Sequence, residues 1–159
     1  MITEEQFVTA TRRATVADLH ALLRVINRAY AVEEFFIHGP RVDEEGLRSR
    51  FAKPDSFFLV VDDDVPGRLA AAVYLQLHGD HGHFGLLSVD PDRQKRGLGK
   101  LLVGVVEAEC RARSCTSLGL DTINVREELP GFYRALGFRE TGTAILPEQD
   151  KLKDTFWDL

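Results

Sequence analysis

Two rhythms of apolar residues run along this chain, one helical and one belonging to short buried strands. Leu19, Leu22, Leu23, Ile26 and Tyr30 recur at helical spacing. Thr15-Val16-Ala17-Asp18 precedes them, a hydroxyl followed three residues later by a carboxylate, which is the pattern of a capping box. A shorter helix is predicted from Asp43 to Phe51, with Leu47 and Phe51 on one side and Lys53-Pro54-Asp55 as its stop. Phe7 to Arg12 reads as a strand ahead of both. Phe57 to Val61, Leu69 to Leu77 and His83 to Val89 read as three further strands. The turn-rich connections DDDVPG and HGDHG between them predict an antiparallel meander.

Pro91 ends the third of these strands. The following helix is predicted from near Gly97 to about Arg113, with Leu98, Leu101, Leu102, Val105 and Cys110 or Ala112 on its apolar side. Ser117 to Val125 reads as the next strand. Pro130 suits a first helical turn, and Phe132 to Gly137 completes a short helix with a glycine stop. Phe138 to Thr141 and Thr155 to Leu159 read as closing strands. The sum is a mixed α/β domain of order β-α-α-β-β-β-α-β-α-β-β, with one strand-helix-strand crossover from Leu86 through Val125. The 159 residues suit a single domain, residues 1–159, with no repeat or linker.

Charge changes the picture at one place. The net charge is −5, which argues against nucleic acid or an anionic membrane as a partner. Against that background RQKRGLGKLL, residues 93–102, is a local positive run. No apolar run approaches membrane-spanning length, and the first residues carry no leader-like apolar segment, so a cytoplasmic protein is expected. Cys110 and Cys115 are spaced to fall on different faces of one helix, which predicts reduced thiols, with a small buried filler as their expected role.

Glycines at a helix start have a physical use. The first N–H groups of a helix have no partner within it and carry the positive end of its dipole. A phosphate can approach them closely where no Cβ stands in the way. Gly97 and Gly99, with Lys95, Arg96 and Lys100 around them, fit that use. A nucleoside-triphosphate loop is excluded, because Lys100 is followed by Leu101 and Gln94 stands five residues before Gly99. The dinucleotide fingerprint is excluded by Leu102 at its third glycine.

What remains is Gln94-x-x-Gly97-x-Gly99, after the strand ending Leu86-Leu87-Ser88-Val89-Asp90-Pro91 and ahead of Phe132-Tyr133-Arg134-Ala135-Leu136-Gly137-Phe138. These three segments resemble the GCN5-related N-acetyltransferase (GNAT) family, from about Phe7 to Leu159 and least between Tyr30 and Pro54. The resemblance implies a mostly antiparallel central sheet flanked by helices, with the crossover carrying a pyrophosphate loop. It implies acetyl-CoA as co-substrate, bound by Gln94, Lys95, Arg96, Gly97, Leu98, Gly99 and Lys100. It also implies that the strand before the loop bulges and that Leu87, Ser88 and Val89 pair with the pantetheine arm through their main chain.

By the same resemblance, Tyr133 is the candidate acid for the departing thiolate. Family members often place a coenzyme-contacting asparagine where this chain has Arg126, with Asn124 nearby but out of register. A glutamate common on the strand before the loop is replaced here by His83 or Gly85. His83 can serve as a base, because its ordinary pKa lies near neutrality. Tyr30, Glu33 and Glu34 would border the acceptor, and with the negative net charge they lean towards a cationic amine. The turn His78-Gly79-Asp80-His81-Gly82-His83 has metal-ligating residue types, but no second cluster matches it, so no metal is expected. Three readings stay open: a direct acetyl transfer to an amine, a non-catalytic acyl-CoA sensor or scaffold of the same fold, and a structural domain whose basic run is a solvated turn. A homodimer through an edge strand or Phe156-Trp157 is compatible with the pattern.

Overall fold

The computed structural model describes residues 11–31, 40–120 and 128–139. β1 (Thr11–Arg13) leads through a 3-10 turn (Val16–Asp18) into α1 (Leu19–Ala29), and α2 (Glu44–Ala52) follows. Then come β2 (Ser56–Asp62), β3 (Leu69–His78) and β4 (His81–Val89), a second 3-10 turn (Pro91–Arg93), α3 (Leu98–Ala112), β5 (Ser117–Gly119) and α4 (Glu128–Ala135). The strands form one sheet in the order β1-β2-β3-β4-β5. β1 to β4 are antiparallel, and β4 and β5 are parallel, with α3 as the crossover between them. The mixed α/β reading, the meander and the single crossover are all present. Residues 7–10 of the expected first strand, 121–125 of the next strand and 140–141 and 155–159 of the closing strands lie outside the described residues, while Leu120, Phe138 and Arg139 are described and are not in strands. Among the described residues, no helix is long and apolar enough to cross a membrane.

The local signals act as their chemistry demands. The Thr15 N–H donates to the Asp18 carboxylate at 2.8 Å, and the Asp43 carboxylate accepts from the Gly46 N–H at 2.7 Å, so each helix entry satisfies an orphan donor. Period-two alternation sends Phe57, Leu59 and Val61 of β2 into a core under α3, and Phe58 and Val60 into a second core under α1 and α2. On β3, Ala71, Val73 and Leu75 join the first core, and Ala72 and Tyr74 the second.

Two expectations change. The buried line of α3 runs Leu98, Leu102, Val106, Cys110, flanked by Leu101 and Val103, while Val105 is only half-buried and Ala112 is exposed. The helix meets the sheet along its one-in-four ridge, so Val105 falls at the margin. The cysteines are not segregated. The chain turns at Ser114 (φ 60°), and the Cys115 N–H donates to the Cys110 carbonyl at 2.9 Å, which brings the two free cysteines near each other. Burial first, and then the neighbouring Cys115, pushes the Cys110 thiol up to about 11. It is a neutral core filler against Gly82, where an added Cβ would stand 2.5 Å from the Cys110 sulfur.

Candidate active site

The site is organised by β4. Strand pairing slips between Ala72 and Tyr74, whose partners on β4 are Ser88 and Gly85, so β4 carries one extra residue there. Leu86 takes up the bulge with φ 52°, a conformation that costs a bulky side chain on the order of 1–3 kcal/mol. Two contacts hold it. The Leu86 side chain is buried in the core under α1 and α2, and the buried Ser88 hydroxyl donates to the Leu86 carbonyl at 2.8 Å. The bulge also changes which way side chains face. Phe84 lies in the core under α3, whereas Leu86, two residues on, lies in the opposite core. Leu87 and Val89 then pack on the α3 side.

Beyond the bulge, β4 runs into the basic loop. Asp90 is buried and accepts from Arg24 at 2.8 Å, from Arg28 at 3.3 Å and from the Asp92 N–H at 3.0 Å. Burial alone would raise its pKa. The Asp92 N–H and the two guanidiniums outweigh that and hold it below the usual carboxylate range. Arg93, the first cation of the run, turns back to Asp63 at 2.9 Å and Asp64 at 3.2 Å. These pairs pin the chain as it enters the loop.

The loop itself stays open. Lys95 (φ 66°) and Gly97 (φ 76°) are both left-handed, and Gly97 caps α3, its carbonyl accepting from the Leu101 N–H at 2.9 Å. The N–H groups of Leu98, Gly99 and Lys100 have no partner within the helix. A Cβ at Gly97 would meet nothing within 4 Å, so the space before the helix is clear. Gly99 lies closer in, its Cβ position 3.6 Å from the Phe132 ring and 3.8 Å from Val89. Lys95, Arg96 and Lys100 are exposed and have no ion pair among the described residues. Gln94 is exposed, and Leu98 points into the core. The chemistry of this donor set fits a pyrophosphate: free helix N–H groups, the positive helix end and three unpaired cations.

Tyr133 sits under the same part of β4. Its buried ring meets Phe84 edge-on (centroids 6.1 Å), Phe138 edge-on (6.0 Å) and Phe132 at a tilt (5.0 Å). α4 stops just beyond it at Gly137 (φ 99°). Tyr133 therefore packs among three aromatic rings, Phe84, Phe132 and Phe138.

On the opposite face, before the bulge, lies a groove of about 320 Å³. His83, Gly85 and Leu86 of β4 and Tyr74 and Gln76 of β3 form its floor. Arg41 and, from α2 and its end, Gly46, Ser49, Arg50 and Lys53 form its wall. Burial raises the Tyr74 hydroxyl, opposed by Ser56 and the Arg50 charge, and that hydroxyl donates to the Arg50 carbonyl at 3.2 Å. Tyr30 ends α1 half-buried, with the Arg41 guanidinium 5.3 Å from its ring centre. Among the described residues the lining of the groove includes the cations Arg41, Arg50 and Lys53. The expected carboxylates Glu33 and Glu34, and the expected coenzyme contacts Asn124 and Arg126, lie outside the described residues.

The structure brings Leu87, Ser88, Val89, the loop and Tyr133 to one part of β4, and it places His83 in the groove lining. Sequence reasoning missed Asp90 with Arg24 and Arg28, whose signal was two arginines four residues apart on an apolar helix. It also missed the cations at the end of α2. The histidine-rich turn is tied to β5 instead: the His81 Nδ1 lies 2.7 Å from the Ser117 hydroxyl, and Thr116 donates its N–H to the Asp80 carbonyl at 2.7 Å.

With that geometry in hand, three kinds of relative bear on it. The acetyltransferase (GNAT) family profile matches residues 19–138. A mycothiol acetyltransferase of Clavibacter michiganensis is 31% identical over 112 residues, covering 66% of this chain and 35% of that protein. Human N-acetyltransferase 8B is 34% identical over 68 residues, 43% of this chain and 30% of that protein. The chain thus spans about a third of the length of these curated relatives. The ribosomal-protein-S18-alanine N-acetyltransferase of Escherichia coli superposes with a TM-score of 0.71 at 24% identity, over 83% of this chain and 78% of that one. An acetyltransferase of Trypanosoma brucei gives 0.69 at 21%, over 87% and 97%. These two likenesses establish the shared fold.

Proposed function

This chain belongs to the acetyltransferase (GNAT) family, and from that premise we propose that it transfers an acetyl group from acetyl-CoA to a primary amine by direct attack in a ternary complex. One observation carries the reading: the bulged strand β4 has an exposed basic glycine loop beyond its bulge and an open groove before it. A donor with a pyrophosphate handle and an acceptor can therefore meet at the bulge from opposite ends.

Acetyl-CoA supplies the activated thioester and a thiolate leaving group. The N–H groups of Leu98, Gly99 and Lys100, with Lys95, Arg96 and Lys100 around them, hold the pyrophosphate. The main chain of Leu87, Ser88 and Val89 aligns the arm, and the Ser88 hydroxyl keeps the bulge from relaxing. His83, on the groove floor, takes a proton from the incoming ammonium so that a neutral amine can attack. Tyr133 gives its phenolic proton to the departing sulfur and is reprotonated from solvent. Neither cysteine is used.

The test joins binding and turnover. Isothermal titration with acetyl-CoA is run on wild type and on a folded Gly97→Glu/Gly99→Glu double variant, followed by thiol release across an amine panel. Binding weakened at least a hundredfold in the double variant is expected, since two carboxylates and two Cβ atoms then occupy the cradle. Tyr133→Phe should lower kcat about a hundredfold with near-unchanged coenzyme affinity. Tight binding that the double variant keeps would sink the loop assignment.

A further inference from the structure

Two adjacent residues in the last turn of α1 reach in different directions. Asn27 holds Val42 by a reciprocal pair: its amide nitrogen donates to the Val42 carbonyl at 2.9 Å, and its amide oxygen accepts from the Val42 N–H at 2.9 Å. Val42 is buried in the core under α1 and α2. It stands between Arg41, which lines the groove, and Asp43, which caps α2. Asn27 therefore fixes the chain where it enters the groove wall. Tyr30 adds a second tie, with the Arg41 guanidinium 5.3 Å from its ring centre.

Arg28 reaches the other way, to the entry of the glycine loop. Its guanidinium donates to Asp90 at 3.3 Å and to Asp92 at 3.1 Å. Asp90 caps the 3-10 turn Pro91–Arg93, and Asp92 lies within it. Only residues 94–97 separate that turn from Leu98 at the start of α3, so the turn sets one end of the loop. Arg24, one helical turn earlier, also holds Asp90, at 2.8 Å. Opening of the last turn of α1 alone would therefore leave Asp90 anchored.

The two holds differ in strength. The Asn27 pair is half-buried, whereas the side chains of Arg28 and Asp92 are 41% and 69% exposed. An exposed ion pair is marginal by itself, because ordering two flexible side chains offsets most of its attraction. That cost falls when the turn carrying Asp92 is already held. A pyrophosphate seated on the first N–H groups of α3 would hold it.

Resting on the coenzyme binding proposed above, we propose that acetyl-CoA orders the acceptor groove through the last turn of α1, with Arg28 and Asn27 as positioning residues. The last turn has two arrangements, frayed and closed, and the bound pyrophosphate biases it to the closed one. Arg28 passes the bias from the loop to the helix, and Asn27 passes it to Val42 and the groove wall. The coupling is reciprocal, so an acceptor in the groove tightens coenzyme binding by the same factor.

The test needs coenzyme A alone and reads a single amide. Hydrogen exchange at the Val42 N–H is followed by NMR on the full chain, free and with coenzyme A. Arg28→Gln, Arg28→Lys and Asp92→Asn are measured beside wild type, each at the same fractional saturation. Coenzyme A should slow Val42 about fivefold in wild type, the low end of allosteric coupling. The slowing should be lost in Arg28→Gln and in Asp92→Asn, and largely kept in Arg28→Lys. Val73, buried in β3, reports global opening and should slow equally in all four proteins. Wild type that binds coenzyme A without slowing Val42, or slowing that survives in Arg28→Gln and Asp92→Asn, would overturn the coupling and leave the coenzyme loop standing. A folded wild type that does not bind coenzyme A would overturn the transfer reading and the coupling with it.

Discussion

The cations flanking the end of β4 fall into two groups that the sequence writes in the same letters. Arg24, Arg28 and Arg93 are each paired with a carboxylate, Asp90, Asp92, Asp63 or Asp64. Lys95, Arg96 and Lys100, only a few residues along, have no such partner among the described residues. The first group spends its charge on holding the loop in place. The second group is exposed at the start of α3, where the proposed pyrophosphate would bind. Partnership, more than the density of positive residues, separates a scaffold from a binding surface.

The largest effect should come from breaking the scaffold. Asp90→Ala leaves Arg24 and Arg28 facing each other without their shared carboxylate. A loss of about 2 kcal/mol in urea unfolding is expected, below the full value for a buried pair because both arginines reach solvent. The pH dependence has a definite sign. Asp90 is held below the ordinary carboxylate value of about 3.9, so its stabilisation is fully present above that value. It drains away as pH falls through the lowered folded value. Asp90→Ala should therefore be flatter than wild type in stability below about pH 4. A wild-type curve that parallels the variant there would contradict the assignment.

Of intermediate size is the effect of stripping the free cations. Lys95→Gln/Arg96→Gln should weaken acetyl-CoA about tenfold, most at low salt, and leave the unfolding midpoint unchanged. The smallest effect belongs to Arg93→Gln. It should lower Tm by about 2 °C and change coenzyme affinity less than about twofold, although Arg93 belongs to the same basic run. Equal losses of affinity from Arg93→Gln and from Lys95→Gln/Arg96→Gln would erase the contrast between the two groups.

How much of this was legible in the sequence can be judged residue by residue. The helix entries at Thr15 and Asp43 were readable, because capping chemistry acts over three residues. The placement of Gly97 at the start of α3 was readable for the same reason. The neighbourhood of Cys110 and Cys115 was not. It depends on a left-handed turn at Ser114 that ends the helix early, and helical spacing alone cannot foresee that. Between Cys110 and Ala112 the spacing left the choice open, and the angle at which α3 crosses the sheet decides it for Cys110, while Val105 packs half-buried on the same core.

The groove shows the same limit more sharply. Lys53 read as part of a helix stop, and Tyr74 as one apolar position in a buried strand. Their meeting around Gly85 depends on α2 packing over β3 and β4, elements far apart in the chain. Sequence by itself determined the order of elements, the crossover, the glycine loop and the family to which the chain belongs, since all of these follow from periodicity and from motifs read within a few residues. Only the tertiary structure decided where β4 bulges, which cations pair with carboxylates and which residues line the groove. Those depend on contacts between residues up to 66 positions apart, as between Arg24 and Asp90, and no local rule carries that information.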